Sequence, residues 1–221
     1  MTARIQEICS HIPKCKTFAD VGCDHGYMAQ YALRADLCER AYISDISKES
    51  LQKAITLLKN YVDCGRCIPI CTDGLTRFPE TPECVLIAGM GGEEAVKILR
   101  EAPLPQTLLL QPMKNAEKVR AYLLSNGYRI LSDYTFEDGK FYDFIVAARG
   151  EGDAYTKREL AFGRDNLSAP SPAFLKKIRK ERDELRSVLD CASLSEENRA
   201  KVQARMQALE EVLHEVAGNL S

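Results

Sequence analysis

Between residues 17 and 149 the sequence alternates short apolar segments with amphipathic segments of helical periodicity. The apolar segments predict strands at 17–23, 41–46, 67–73, 85–90 and 107–111, and a closing pair at 129–136 and 142–148. The amphipathic segments predict helices at 27–35, 48–61, 93–100 and 116–125, after a leading helix at 4–13. Because the strands are almost continuously apolar, they are typical of a parallel sheet that helices cover on both faces. We therefore expect an α/β fold with a Rossmann-like, mostly parallel seven-stranded sheet.

Two local signals refine the order and direction of these strands. Asp138-Gly139 lies between the last two strands, and an Asp-Gly step is typical of a hairpin, so the sheet should end antiparallel. Pro69 lies inside the third strand, where it cannot donate a hydrogen bond, so this strand should form an edge. A doubly wound sheet that starts in its middle places the third strand there.

The C-terminal third has a different pattern. Gly150, Gly152, Ser168 and Pro170 indicate a loosely structured connection, after which Ser171-Pro172 is a typical helix start. Two apolar stripes of 3–4 spacing follow, at Leu175, Ile178, Leu185, Leu189 and Ala192, then at Val202, Met206, Leu209, Leu213, Val216 and Leu220. Ser193 and Glu196 form a candidate capping box between them. We expect an antiparallel helical hairpin with a coiled-coil seam, and hence two units at 1–152 and 153–221.

The composition of the chain indicates its cellular compartment and the state of its cysteines. No apolar run approaches the roughly 20 residues of a membrane span, and residues 1–10 lack the apolar core of a signal peptide. We expect a cytoplasmic protein whose nine cysteines are reduced. Cys64, Cys67 and Cys71 are closely spaced, but no His nearby completes a set of four zinc ligands. We expect packing roles for these thiols and no metal, with metal binding as the alternative.

Charge is unevenly distributed along the chain. Formal net charge is −2, whereas residues 155–186 carry nine basic and five acidic side chains, leaving −6 for the remainder. Such a local basic segment can contact nucleic-acid phosphates. The predicted contacts are Lys176, Lys177, Arg179 and Lys180. The alternative is ordinary charge on a solvated helix face.

The segment from Asp20 to Gly26 follows the first strand and contains the first candidate site residues. The dinucleotide fingerprint G-x-G-x-x-G is absent, because Asp24 stands where the second glycine would be. Carboxylates at this turn repel a pyrophosphate but suit a ligand with a sulfonium and an amino group. Asp20 and Asp24 therefore favour S-adenosylmethionine over a nicotinamide cofactor.

Further candidates follow the other strands. Asp45 ends the second strand, where an acid can accept hydrogen bonds from ribose hydroxyls, and Asp73-Gly74 ends the third, facing an adenine edge. Helix capping is the alternative for each acid. The glycine-rich loop 89–92 follows the fourth strand, and 111–115 adds amide and ammonium donors. In these stretches we also expect cofactor contacts from Cys23, Ile46, Gly74, Gly89, Met90 and Gly91. Substrate contacts are expected from Gly92, Gln111, Lys114, Asn115 and Tyr142.

Four motifs in this order carry a specific resemblance: 20–27 (DVGCDHGY), 87–92 (IAGMGG), 110–112 (LQP) and 141–146 (FYDFIV). With the two-helix tail, the chain resembles the bacterial tRNA (adenine-N1)-methyltransferases that modify adenine 22. The resemblance implies a class I methyltransferase fold, S-adenosylmethionine as cofactor and tRNA as partner. It also implies that Asp20, Gly22, Asp45, Asp73 and the loop 89–92 hold the cofactor, while Asp24, His25 and Tyr27 line the path to the base. Asp45 departs from the glutamate of the relatives, and either acid can bind ribose hydroxyls.

The expected reaction is an in-line attack of adenine N1 on the sulfonium methyl group, in which the protein mainly positions the reactants. Asp24 is the candidate to stabilise the resulting positive charge or to accept a proton, with His25 as the alternative base. A purely structural hydrogen bond is the other interpretation of His25. Rival functions are a methyltransferase for another RNA or a small molecule, a non-catalytic cofactor-binding protein, and a nicotinamide oxidoreductase. We expect a monomer, because the hairpin seam is filled within the chain.

Overall fold

The computed structural model describes residues 1–189 and 195–218 and contains one seven-stranded sheet in the order β3-β2-β1-β4-β5-β7-β6. The strands are β1 (Cys15–Val21), β2 (Cys38–Asp45), β3 (Cys67–Cys71), β4 (Cys84–Met90), β5 (Thr107–Pro112), β6 (Tyr128–Asp138) and β7 (Lys140–Arg149). Strands β1 to β5 are parallel, and β7 is antiparallel to both β5 and β6. The predicted Rossmann-like fold is confirmed.

Helices cover both faces of this sheet. They are α1 (Ala3–Ser10), α2 (Tyr27–Arg34), α3 (Lys48–Leu57), α4 (Lys59–Asp63), α5 (Gly92–Arg100), α6 (Ala116–Ser125), α7 (Lys157–Phe162), α8 (Arg164–Ser168), α9 (Pro172–Leu189) and α10 (Glu196–Gly218). Successive residues of a strand point to opposite faces. Phe18 therefore packs in the layer under α1, α2 and α3, whereas Ala19 packs in the layer under α5 and α6.

The two refinements of the sheet are also confirmed. Strand β3, which contains Pro69, pairs only with β2 and so forms one edge. Gly139 joins β6 to β7 with φ of 67°, a left-handed conformation that glycine adopts without steric cost. The hairpin therefore closes the sheet antiparallel, as the Asp-Gly step predicts.

Two predictions about the helices were wrong. The helix predicted at 48–61 is interrupted at Leu58, which is buried against the sheet while α3 ends and α4 begins. The connection predicted as loose at 150–171 contains α7 and α8. These helices cover the outer edge of β6: the Asp133 N–H donates to Asp165 Oδ2 (2.8 Å), and the Thr135 N–H donates to Asn166 Oδ1 (2.9 Å). The hydrogen bonds to these N–H groups of edge strand β6 hold residues 150–171 in an ordered conformation.

The antiparallel pair of α9 and α10 is confirmed. Its core contains Phe174, Ile178, Leu209 and Val212, and Phe162 of α7 packs against them. Arg205 pairs with Glu181 across the two helices (2.6 Å). Ser171 accepts a hydrogen bond from the Phe174 N–H (3.1 Å) and so caps α9 as predicted. The predicted contributions of Ala192, Ser193 and Leu220 lie outside the described residues.

The described helices include none that is long and apolar enough to cross a membrane. In the same part of the chain, no three His, Cys, Asp or Glu side chains are grouped so that they could hold a metal ion.

Candidate active site

A cavity of about 370 Å³ opens at the carboxyl ends of β1 to β4. In open α/β sheets this edge is the usual place for ligands. Seven predicted cofactor residues line the cavity: Gly22, Asp45, Ile46, Asp73, Gly74, Gly89 and Met90. Asp20, Cys23 and Gly91 lie beside it rather than in its wall. Sequence reasoning missed Glu94 and Lys97, which line the cavity from the first turns of α5.

Gly22 has a left-handed backbone conformation that favours glycine, and the Met90 side chain fills the space beside it. Its φ is 71°, and a Cβ atom there would lie 2.1 Å from the Cε atom of Met90. The Gly22 N–H donates to the Ser44 carbonyl oxygen (2.8 Å), which joins the turn after β1 to β2. The backbone of β1 is therefore open to a ligand at the cavity, with Met90 packed beside it.

Asp20 is a buried carboxylate next to this turn. Burial raises its pKa to about 7, the Ala29 N–H (3.3 Å) opposes that rise, and the nearby Asp45 adds to it. Burial likewise raises the pKa of the Cys23 thiol, so this cysteine is a poor nucleophile. Asp20 thus holds its negative charge at a cost that a cationic ligand would offset.

Asp45 and Asp73 each have protein partners. Asp45 accepts hydrogen bonds from the Ser47 N–H (2.8 Å) and the Asp24 N–H (3.3 Å), so it orders the loops after β1 and β2. Asp73 is exposed and lies 3.4 Å from the ammonium group of Lys97. Helix α3 is capped by Ser47, whose hydroxyl accepts a hydrogen bond from the Ser50 N–H (3.2 Å), so the capping alternative for Asp45 is wrong and Asp45 lines the cavity.

Asp24, His25 and Tyr27 form a small, largely exposed cluster at the start of α2. His25 Nδ1 lies 2.7 Å from Asp24 Oδ2, and the imidazole stacks on Tyr27 with ring centroids 5.5 Å apart and planes 2° from parallel. Asp24 has φ of 46° and Gly26 has φ of 76°. This left-handed backbone turns the cluster outward at the start of the helix.

The loops after β4 and β5 are joined to each other. The Gly92 N–H donates to the Lys114 carbonyl oxygen (2.8 Å), and a Cβ on Gly92 would lie 2.3 Å from the Asn115 oxygen. The Met113 N–H donates to the Met90 oxygen (2.8 Å). The absence of a side chain at Gly92 therefore lets these two loops approach each other closely.

Gln111 and Tyr142 meet at a residue that sequence reasoning missed. The buried Gln111 accepts a hydrogen bond from Arg4 Nε (2.9 Å), and the Arg4 guanidinium lies 5.2 Å from the centre of the Tyr142 ring. Tyr142 also stacks on Phe136 (5.4 Å). A single arginine in a short helix forms no recognisable sequence motif. The position of Arg4 beside Gln111 and Tyr142 is therefore visible only in the folded structure.

The predicted phosphate contacts on α9 are largely engaged with carboxylates. Lys176 pairs with Glu137 (2.9 Å), Lys177 with Asp143 (2.6 Å) and Lys180 with Glu184 (3.8 Å). Arg179 is exposed and pairs with no carboxylate in the described ranges. Burial acts to raise the pKa of Asp143, but Lys177 and Arg120 outweigh it and hold that pKa below its usual value. Lys177 therefore has a structural role in joining α9 to β7.

Comparison with known proteins connects this geometry to a family. The model of a methyltransferase domain matches residues 1–145. The chain belongs to the methyltransferase domain family. The matched residues include every strand end that borders the cavity, so the cavity lies within the methyltransferase domain.

Several relatives match almost the whole chain. The tRNA (adenine(22)-N(1))-methyltransferase of Bacillus subtilis is 28% identical over 96% of this chain and 97% of its own length. The crystal structure of the B. subtilis m1A22 tRNA methyltransferase TrmK superposes with a TM-score of 0.85, at 25% identity, covering 96% of this chain and 98% of that one. A Streptococcus pneumoniae protein solved in complex with S-adenosyl-L-methionine gives a TM-score of 0.86, at 26% identity, covering 97% and 100%. The likeness thus includes the helical pair beyond the methyltransferase domain.

Proposed function

We propose that this protein is an S-adenosylmethionine-dependent tRNA (adenine-N1)-methyltransferase that modifies adenine 22. The observation that carries the proposal is the row of strand ends at the cavity, where Gly22 follows β1, Asp45 ends β2 and Asp73 follows β3. Full-length likeness to the B. subtilis enzyme supports the same reaction and substrate. A tRNA-modifying enzyme acts where tRNA is used, so we assign the protein to the cytoplasm.

The residues at the cavity fit the cofactor. Asp45 offers carboxylate oxygen to ribose hydroxyls, and the backbone at Asp73-Gly74 faces the adenine end. Asp20 supplies negative charge near the sulfonium and ammonium groups. Gly22 lacks the Cβ that would crowd the turn. When bound, S-adenosylmethionine supplies the electrophilic methyl group.

The protein's own groups position the base and manage its charge. Adenine N1 lies on the Watson–Crick edge, so the target base must leave its stack to reach the site. Methylation places positive charge on the ring, and Asp24 at the exposed end of the site stabilises that charge. In the tautomer that donates its Nδ1 proton to Asp24, the Nε2 atom of His25 is the candidate proton acceptor.

The aromatic and basic surroundings suit an RNA substrate. Tyr27 is partly exposed and stacked on His25, which offers a flat surface for a base. Arg179 and the exposed Lys176 and Lys180 supply positive charge for phosphates, although two of them have carboxylate partners. The apolar seam of the helical pair is filled within the chain, which supports a monomer.

The position of the target can be tested with two tRNA transcripts that differ only at nucleotide 22, one with adenine and one with guanine. A methyl group on N1 blocks base pairing, so reverse transcription should stop at position 22 after incubation of the adenine transcript with enzyme and cofactor. The guanine transcript should show no stop. Equal methylation of both transcripts would overturn the assignment of the target.

A further inference from the structure

The side chain of Arg4, in α1, contacts residues near the ends of β4 and β5. Its Nε donates to Gln111 Oε1 (2.9 Å), and its Nη2 lies 3.1 Å from the position of a Cβ on Gly89. Gly89 lines the cavity. The Arg4 backbone N–H donates to Asp138 Oδ2 (2.8 Å) at the β6–β7 hairpin. The guanidinium is therefore fixed at the border of the cofactor cavity.

The charge of Arg4 has no carboxylate partner within residues 1–189 and 195–218. Its side chain makes no ion pair there, whereas Lys97, the cation in the cavity wall, pairs with Asp73. The other contacts of the guanidinium are the neutral amide of Gln111 and the Tyr142 ring. A half-buried guanidinium that forms no ion pair with the described residues is available to an anionic ligand.

Strand order indicates which part of the cofactor reaches Arg4. The sheet runs β3-β2-β1-β4-β5, so Asp73, Asp45, Gly22 and Gly89 stand in that order along its carboxyl edge. If the adenine and ribose lie at β3 and β2, the amino-acid end lies toward β1 and β4. That end carries a carboxylate, which Asp20 and Asp24 repel.

We propose that Arg4 binds the carboxylate of the amino-acid end of S-adenosylmethionine. This inference rests on the proposed function, since it takes that cofactor as the ligand of the cavity. Gln111 and Tyr142 hold the guanidinium in place before the ligand arrives, which lowers the entropy that binding must overcome. The remaining N–H donors of the planar group can form paired hydrogen bonds with a carboxylate.

The inference can be tested by calorimetric binding of two ligands to wild type, Arg4→Gln and Arg4→Lys. S-Adenosylhomocysteine has the carboxylate, and 5′-methylthioadenosine lacks the whole amino-acid end. A charge-assisted hydrogen bond contributes about 1.5–3 kcal/mol, so Arg4→Gln should weaken S-adenosylhomocysteine binding about 10- to 150-fold. Binding of methylthioadenosine should change by less than about 2-fold, and Arg4→Lys should lose less than Arg4→Gln because it keeps the charge.

Each outcome of this experiment either supports or overturns the assignment of Arg4 to the cofactor carboxylate. Arg34→Gln is the matched control, because Arg34 is exposed at the end of α2, and it should bind both ligands as wild type does. Equal losses for both ligands in Arg4→Gln would make Arg4 a structural residue and overturn the inference. Unchanged S-adenosylhomocysteine affinity with a raised KM for tRNA would overturn it too, and would assign Arg4 to RNA. Failure of wild type to bind either ligand would instead refute the proposed function.

Discussion

Replacing Asp20 with Asn should stabilise the protein at alkaline pH while weakening cofactor binding. Burial raises the pKa of Asp20 from 3.8 to about 7 in the folded protein. Between these values the folded state keeps a proton that the unfolded chain releases, so the contribution of Asp20 to stability falls as pH rises. Above pH 7 the buried carboxylate is ionised, and the full free-energy cost of burying its charge lowers the stability of the folded protein. A pKa difference of about three units corresponds to a cost of about 4 kcal/mol at most. Asn has the same shape, carries no charge and keeps an oxygen for the Ala29 N–H.

The assay is urea unfolding of the cofactor-free protein at pH 4, 6 and 8. Asp20→Asn should raise the free energy of unfolding at pH 8 by about 2–4 kcal/mol, and the gain should shrink towards zero at pH 4. Asp63→Asn is the control, because Asp63 is exposed and its pair with Lys59 contributes under about 1 kcal/mol. A variant that is no more stable than wild type at pH 8 would refute the argument that Asp20 holds its charge at a cost. Wild-type affinity for S-adenosylmethionine should rise as pH increases through about 7, because the cationic cofactor favours the ionised carboxylate.

Three other substitutions test the site and its support. Gly22→Ala, which forces a Cβ against Met90 at a positive φ, should weaken S-adenosylhomocysteine binding at least about 10-fold by calorimetry; near-normal affinity would remove Gly22 from the site. Lys177→Met leaves the half-buried Asp143 without its ammonium partner and should lower the free energy of unfolding by about 1.5–3 kcal/mol in urea; a loss below about 0.5 kcal/mol would contradict the structural role of this pair. Asp24→Asn should reduce the rate of methyl transfer about 10- to 100-fold with tRNA affinity almost unchanged; a wild-type rate would show that this carboxylate is not needed.

The sheet and its order were predictable because they depend on local patterns. Continuous apolar strands indicate burial on both faces, and the single Pro69 indicates which strand has a free edge. The acids at successive strand ends were predictable for the same reason. Parallel strands all end at one edge, so residues far apart in sequence, such as Asp45 and Asp73, line the same cavity there.

The features that could not be predicted depend on contacts between distant segments. The 150–171 segment is rich in glycine and proline, yet Asp165 and Asn166 are ordered by donors of β6 that lie more than 30 residues earlier. Arg4 reaches Gln111 across 107 positions of sequence. The basic residues of α9 looked free for phosphates, but the pairing of Lys177 with Asp143 appears only when α9 packs against β7. A charge count along the chain carries no information about such partners.

The most direct test is to incubate the purified protein with unmodified bacterial tRNA and methyl-labelled S-adenosylmethionine, and to identify the labelled nucleoside by mass spectrometry. The account predicts label in 1-methyladenosine. Label in another nucleoside would keep the methyltransferase and discard N1 of adenine as its target. Absence of label from RNA, despite measurable cofactor binding, would contradict the proposed reaction.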